Sequence, residues 1–113
     1  MADTNRTTLT VLGTKIRRDE DGRYNLNDCH KAAGAEAKDA PGQWLRTDKA
    51  QDLIRVMETM QNCTVSPTAS KEGRGGGTYV AEELVYAYAM WVSPEFQLEV
   101  IRSYDRLATE GVA

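Results

Sequence analysis

Lys71-Glu72-Gly73-Arg74-Gly75-Gly76-Gly77-Thr78-Tyr79-Val80 is a glycine-rich turn that runs straight into three β-favouring residues. Behind it lies Cys63 to Ser70 (Cys-Thr-Val-Ser-Pro-Thr-Ala-Ser), where Pro67 lacks the N–H that a central strand must donate. Together the two stretches predict an edge hairpin with its turn over 71–77 and a short returning strand over 78–80. A phosphate loop is the competing interpretation of the glycines. It fails because no Lys-Ser or Lys-Thr follows them and no strand-to-helix turn is expected there. What the glycines permit is a mobile, backbone-exposed loop that carries Lys71 and Arg74 and leaves room for a partner to approach.

Working outward toward the C-terminus, the sequence predicts two helices. The first runs from Ala81 to Val92. The second opens with Ser93 as N-cap, Pro94 at the first helical position and Glu95 in the first turn. Leu84, Val85, Tyr88, Trp91 and Val92 form one apolar stripe, and Phe96, Val100, Tyr104 and Leu107 form another, so this pair is expected to supply most of the core. On that logic Trp91, and with less support from its surroundings Trp44, are assigned to packing rather than to base stacking.

Toward the N-terminus, Thr7 to Asp19 is rich in Thr, Val, Leu and Ile, meets Glu20-Asp21-Gly22 and continues as Arg23-Tyr24-Asn25. Asp-Gly between β-favouring runs predicts a hairpin, with two antiparallel strands on either side of it. Leu26, Cys29, Ala32 and Ala33 then share one helical face, with Asn25 as the N-cap and Gly34 as the stop. Pro41-Gly42 breaks the next stretch. Thr47 is the predicted N-cap of a longer helix that reaches about Gln61, with Ala50, Leu53, Ile54, Met57 and Met60 along its buried side. Two helices joined by a Gly/Pro-containing bend begin a helix-turn-helix, or an ordinary helical hairpin; beside a helix-turn-helix, the glycine-rich hairpin would be a wing.

The candidate chemistry is sparse. His30 and Cys29 are adjacent on a helix and diverge by about 100°, so they do not share a metal, and no third group orients them as a nucleophile and base. Cys29 is assigned to packing and His30 to the surface. Cys63, the other cysteine, makes no C-x-x-C pair with it, which removes a disulfide framework or zinc knuckle from consideration and points to reduced thiols. Glu82, Glu83, Glu95 and Glu99 are acids that the helix dipole favours in or near first turns, rather than a carboxylate pair for catalysis. No enzyme site, cofactor or metal is expected.

One domain fits the 113 residues. No run of 18 apolar residues exists and Met1 to Thr10 is polar, which predicts a soluble, cytoplasmic protein with no membrane partner. The formal net charge of −3 opposes nucleic-acid binding if read as a single number, but it is unevenly spread. Residues 1 to 80 hold 12 Lys+Arg against 11 Asp+Glu, whereas residues 81 to 113 hold 2 against 6. The acidity belongs to the last two helices, and one face can still grip phosphate.

Tyr24-Asn25, Lys31-Ala32-Ala33-Gly34, Trp44-Leu45-Arg46, Gly75-Gly76-Gly77-Thr78-Tyr79-Val80 and Ala89-Met90-Trp91-Val92-Ser93-Pro94-Glu95-Phe96, in that order and spacing, resemble a KilA-N domain. The resemblance covers about residues 8 to 108 and is most specific in the last two blocks. Where such domains commonly carry a histidine and a proline after the Thr-Tyr-Val strand, this chain has Ala81 and Glu82. The resemblance implies an α+β fold of winged helix-turn-helix type, similar to the fungal APSES domain, in a phage or viral protein that binds double-stranded DNA. Relatives often continue into a second domain.

Carried over by position, the DNA-facing residues are Gln43, Arg46, Thr47 and Lys49 at the start of the second helix of the pair, and Lys71, Arg74 and Thr78 on the hairpin. Residues 1–7 are expected to be a flexible N-terminus, 8–108 the domain and 109–113 a tail. The alternative function is a protein-interaction module, such as an antirepressor or a binder of a host regulatory protein, with the acidic C-terminal helices as its contact face.

Overall fold

The computed structural model describes residues 9–60, 66–73 and 76–112, with side chains described through residue 109. Residues 1–8 and 113, Gln61, Cys63, Arg74 and Gly75 lie outside that range, and with them the expectations made for them. The chain is a mixed α/β structure. Strands β1 (Leu9–Val11) and β2 (Thr14–Ile16) form one two-stranded sheet, and β3 (Tyr24–Asn25), β4 (Thr68–Lys71) and β5 (Gly77–Val80) form a second in the order β3-β5-β4. Five helices complete it among the described residues: α1 (Leu26–Ala32), α2 (Pro41–Leu45), α3 (Asp48–Met60), α4 (Glu82–Val92) and α5 (Pro94–Val112).

The first hairpin does not turn where the Asp-Gly pair predicts. β1 and β2 pair antiparallel across Leu12-Gly13, whose φ angles of 49° and 82° suit a two-residue loop that matches strand twist. Leu12 gave no turn signal, since a leucine at positive φ is uncommon. The Asp21-Gly22 turn also forms, with Gly22 at φ 86° and Arg18 bridging Tyr24. It leads, however, into a strand that belongs to the other sheet: Tyr24 and Asn25 pair with Val80 and Tyr79.

The 71–77 hairpin is where the sequence places it. β4 and β5 pair antiparallel from Thr68↔Val80 to Lys71↔Gly77, and β4 is the edge strand that Pro67 demanded. Gly76 and Gly77 do more than loosen this loop. A Cβ on Gly76 would lie 2.4 Å from the Lys71 carbonyl oxygen. One on Gly77, at φ 129°, would lie 2.8 Å from Asn27 Oδ1. Gly76 thus packs against its own hairpin and Gly77 against the start of α1, where Asn25 Nδ2 donates to the Gly76 carbonyl (3.2 Å) and Thr78 N–H donates to Asn27 Oδ1 (3.0 Å).

The caps are as expected. Asn25 Oδ1 accepts from Asp28 N–H (2.9 Å), and Ser93 Oγ accepts from Phe96 N–H (3.0 Å). Pro41-Gly42 is not a simple break, because Pro41 opens the short helix α2 at a position where its missing N–H costs nothing. Gln43 is consequently on α2 and not on α3.

The core joins both sheets to α1, α4 and α5 through Leu9, Ile16, Leu26, Val80, Leu84 and Val100, all essentially inaccessible. Tyr88 is fully buried, donates from its hydroxyl to the Asp39 carbonyl and meets the Trp44 ring edge-on at 5.7 Å. Thus one side chain of α4 fixes both the 37–39 turn and α2. Two stripe assignments are corrected. Met60 is exposed, at the end of α3, and Trp91 is 38% exposed, whereas Trp44 is buried. Helix α4 is apolar around most of its circumference, so its periodicity does not say which of its apolar residues faces out.

Candidate nucleic-acid interface

The junction between α2 and α3 is held by its own backbone. Thr47 Oγ donates to the Trp44 carbonyl (2.7 Å) and accepts from Ala50 N–H (3.2 Å), and Gln51 Nε2 donates to the Leu45 carbonyl (2.7 Å). The Thr47 hydroxyl thereby ends α2 and caps α3. Gln43, Arg46 and Lys49 surround this rigid bend with exposed side chains. Neither Arg46 nor Lys49 has a carboxylate partner among the described residues. Arg46 precedes the cap, so its relation to Lys49 is set by the turn and not by helical spacing.

The hairpin group is different. Lys71 Nζ lies 3.6 Å from Asp19 Oδ2 and 3.7 Å from Glu20 Oε1, and 5.3 Å from the centre of the Tyr79 ring. Its charge already has acidic company. Behind it, the buried Arg23 donates through Nε to Asp19 (2.8 Å), through Nη2 to Asp21 (2.9 Å) and through Nη1 to the Ser66 carbonyl (3.1 Å). Burial pushes the Asp19 carboxyl up, but backbone N–H groups and the Arg23 guanidinium outweigh it and hold it below the usual carboxylate range. Thr78 is half-buried on β5, with its N–H bound to Asn27.

A second clamp joins β2 to α1. Arg17 grips Asp28 by Nε to Oδ2 (2.8 Å) and Nη2 to Oδ1 (3.0 Å), while its backbone N–H also donates to Oδ2 (2.9 Å). Burial opposes ionisation of Asp28, yet these hydrogen bonds and the charges of Arg17 and Lys31 keep its pKa depressed. Sequence reasoning missed this pair, since nothing local links residues 11 apart. Asn27 was missed too; the one available signal was a run of small residues before Thr78 that a neighbouring side chain needs in order to approach.

Cys29 is buried, and that burial pushes its thiol up to about 12, so it stays protonated at neutral pH. His30 is half-buried rather than free on the surface, with Nε2 2.7 Å from the Glu36 carbonyl oxygen. Among the described residues no group of three or more His, Cys, Asp or Glu is placed to hold a metal, and no helix is long and apolar enough to cross a membrane. A concavity of about 570 Å³ opens between α3 and α4. It is lined by Trp44, Ala50, Leu53, Ala87, Met90 and Trp91, with Thr47, Asp48 and Lys49 from the start of α3.

The comparison with known families is decisive. The family model described as KilA-N domain matches residues 8–110. The chain belongs to the KilA-N domain family. A KilA-N relative, protein kilA of Escherichia phage P1, is 52% identical over 101 residues, which cover 87% of this chain and 36% of the relative. The chain thus spans about a third of the length of that protein. No solved structure matches it. Within this KilA-N domain, the blocks that carried the resemblance mix buried or capping positions (Tyr24, Asn25, Trp44, Val80, Ala89, Ser93, Phe96) with exposed ones (Lys31, Arg46, Met90, Trp91).

Proposed function

We propose that this KilA-N domain binds duplex DNA as a winged helix-turn-helix, with α1 as the supporting helix, α3 entering the major groove from its capped end and the β4–β5 hairpin as the wing. The observation that carries the reading is the pair Arg46 and Lys49, exposed, free of carboxylates and fixed at a hydrogen-bonded bend. In this mechanism they hold phosphates, Gln43 or Arg46 reaches base edges, and Lys71, Arg74 and Thr78 add contacts from the wing. Thr47 acts through its cap rather than through a hydroxyl contact. In this reading the domain acts in gene regulation in the host cytoplasm, without a catalytic step.

Fluorescence anisotropy on a mixed-sequence duplex across a salt series tests the reading. If Arg46, Lys49, Lys71 and Arg74 alone meet phosphates, the logarithm of affinity should fall against the logarithm of salt with a slope of about −3 to −4, steeper where further cations take part, and Arg46→Gln and Lys49→Gln should each reduce that slope by about one. Absence of duplex binding at low salt would overturn it.

A second reading has one observation in its favour. Met90, Trp91, Leu98 and Ile101 are exposed on the two acidic helices α4 and α5, an apolar display that a protein partner would cover. Retention of a repressor or host regulatory protein by the immobilised domain, together with failure to bind duplex, would favour it.

A further inference from the structure

The outer faces of β2 and α1 form a continuous basic surface that the proposed recognition helix and wing do not use. On β2 the strand alternates, so Ile16 is buried and Lys15 is exposed, and Arg17, the next residue outward, is also exposed. On α1, Leu26, Asp28 and Cys29 face in, while Asn27 and Lys31, one helical turn apart, face out. The Arg17–Asp28 clamp brings the two faces together. The Asp28 side chain is only 6% exposed and the Arg17 side chain 46%, so the solvent meets the arginine far more than the acid. Lys15 and Lys31 make no ion pair among the described residues, although Lys31 is near enough to Asp28 to help hold its carboxyl down, and neither element carries an exposed acid.

Asn27 adds a directed donor. Its Oδ1 is taken by Thr78 N–H, which leaves the amide NH2 without a partner among the described residues and the side chain exposed. That same bond ties α1 to β5, so the surface is continuous with the hairpin that would be the wing.

We propose that Lys15, Arg17, Asn27 and Lys31 form a second phosphate-binding track, along which the sugar-phosphate backbone of the bound duplex continues past the wing. The inference rests on the duplex-binding reading and extends it. A linear polyanion suits the site better than a single free phosphate, because the cations are spread along a strand and a helix and do not converge on one point. Contacts of this kind fix register and add salt-dependent affinity without reading sequence.

The test uses the full chain and anisotropy on the same mixed-sequence duplex. Lys15→Gln/Lys31→Gln should lower the salt slope by about two, and a duplex selected for tight binding should keep its preference over the mixed sequence. Arg17 is left intact because it holds Asp28. Arg102→Gln, an exposed cation on α5, should leave the slope unchanged. If Arg46→Gln/Lys49→Gln flattens the slope and Lys15→Gln/Lys31→Gln does not, the second track is wrong and the duplex reading stands. If Arg102→Gln matches the loss seen with Lys15→Gln/Lys31→Gln, net charge explains the effect and the track is overturned. If the parent binds no duplex, both readings fall together.

Discussion

The bend between α2 and α3 and the β4–β5 hairpin contribute cations of the same kind to the proposed interface, yet they hold them differently. Arg46 and Lys49 stand on a scaffold made by backbone carbonyls, N–H groups and one threonine hydroxyl, so their charges take no part in folding. Lys71 stands on a scaffold made of charges, in a network with Asp19, Glu20 and, through Asp19, the buried Arg23. A phosphate approaching Arg46 meets only solvent counterions. One approaching Lys71 competes with carboxylates that are already there. A count of basic residues therefore overstates the charge available to a ligand, and the difference between the two regions is one of tertiary pairing.

The largest expected effect breaks the hairpin side of the comparison. Asp19→Ala takes one of two carboxylates from the Arg23 side chain, which is 10% exposed, leaving Asp21 and the Ser66 carbonyl, and it removes the acceptor of two N–H groups in the turn, so it should cost about 1.5 to 3 kcal/mol in a denaturant melt. Arg46→Gln should stay within about 0.5 kcal/mol of the parent in the same measurement. Equal losses would remove the distinction. The pH dependence has a definite sign. Asp19 and Asp28 both have depressed folded-state pKa values, so their stabilisation is fully present above about pH 4 and is lost as pH falls through those lower values. Thermal melts from pH 6 downward should show the loss below about pH 4, and Asp28→Asn should make the acid limb shallower.

Next in size is Gly77→Ala, which forces a Cβ at φ 129° against Asn27 and should cost about 1 to 3 kcal/mol. Gly73→Ala, with open space around it though also at positive φ, should cost less. On the other side of the comparison, Thr47→Ala removes the α3 cap and should cost about 1 kcal/mol while weakening duplex binding through the bend rather than through a lost contact. Calorimetry alongside anisotropy separates the two losses. The smallest effect is the most diagnostic: Glu20→Gln removes an exposed competitor of Lys71 and should tighten duplex binding by a few-fold at low salt, a gain of under about 1 kcal/mol. Unchanged affinity would mean that Lys71 does not meet the ligand.

What could be read from the sequence was what is local. Asn25, Thr47 and Ser93 cap helices through bonds that span three residues, and Pro67 marks an edge strand by what it lacks. The features that escaped are settled by neighbours far along the chain. Trp91 shares an apolar stripe with Leu84 and Tyr88 but opens onto the α3–α4 groove, because only packing chooses among the apolar faces of α4. Leu12 turns the first hairpin at positive φ without being a turn-forming residue. Of the proposed interface, the sequence carried the presence of its cations but not their pairing: Arg46 and Lys49 are exposed, while Lys71 is engaged by a turn about 50 residues earlier that gave no sign of reaching it.

The pairing of Tyr24 and Asn25 with Val80 and Tyr79 also bears on how the molecule is made. A ribosome adding roughly 5 to 20 residues per second has finished β3 and the start of α1 several seconds before β5 exists. For that interval the central strand of the second sheet is missing, and Asn25 and Asn27 lack the Gly76 carbonyl and the Thr78 N–H that they will later hold. A nascent chain released before Val80 has no partner for either neighbouring strand. Such a fragment exposes unpaired strand edges, the kind of surface that makes an incomplete chain prone to aggregate.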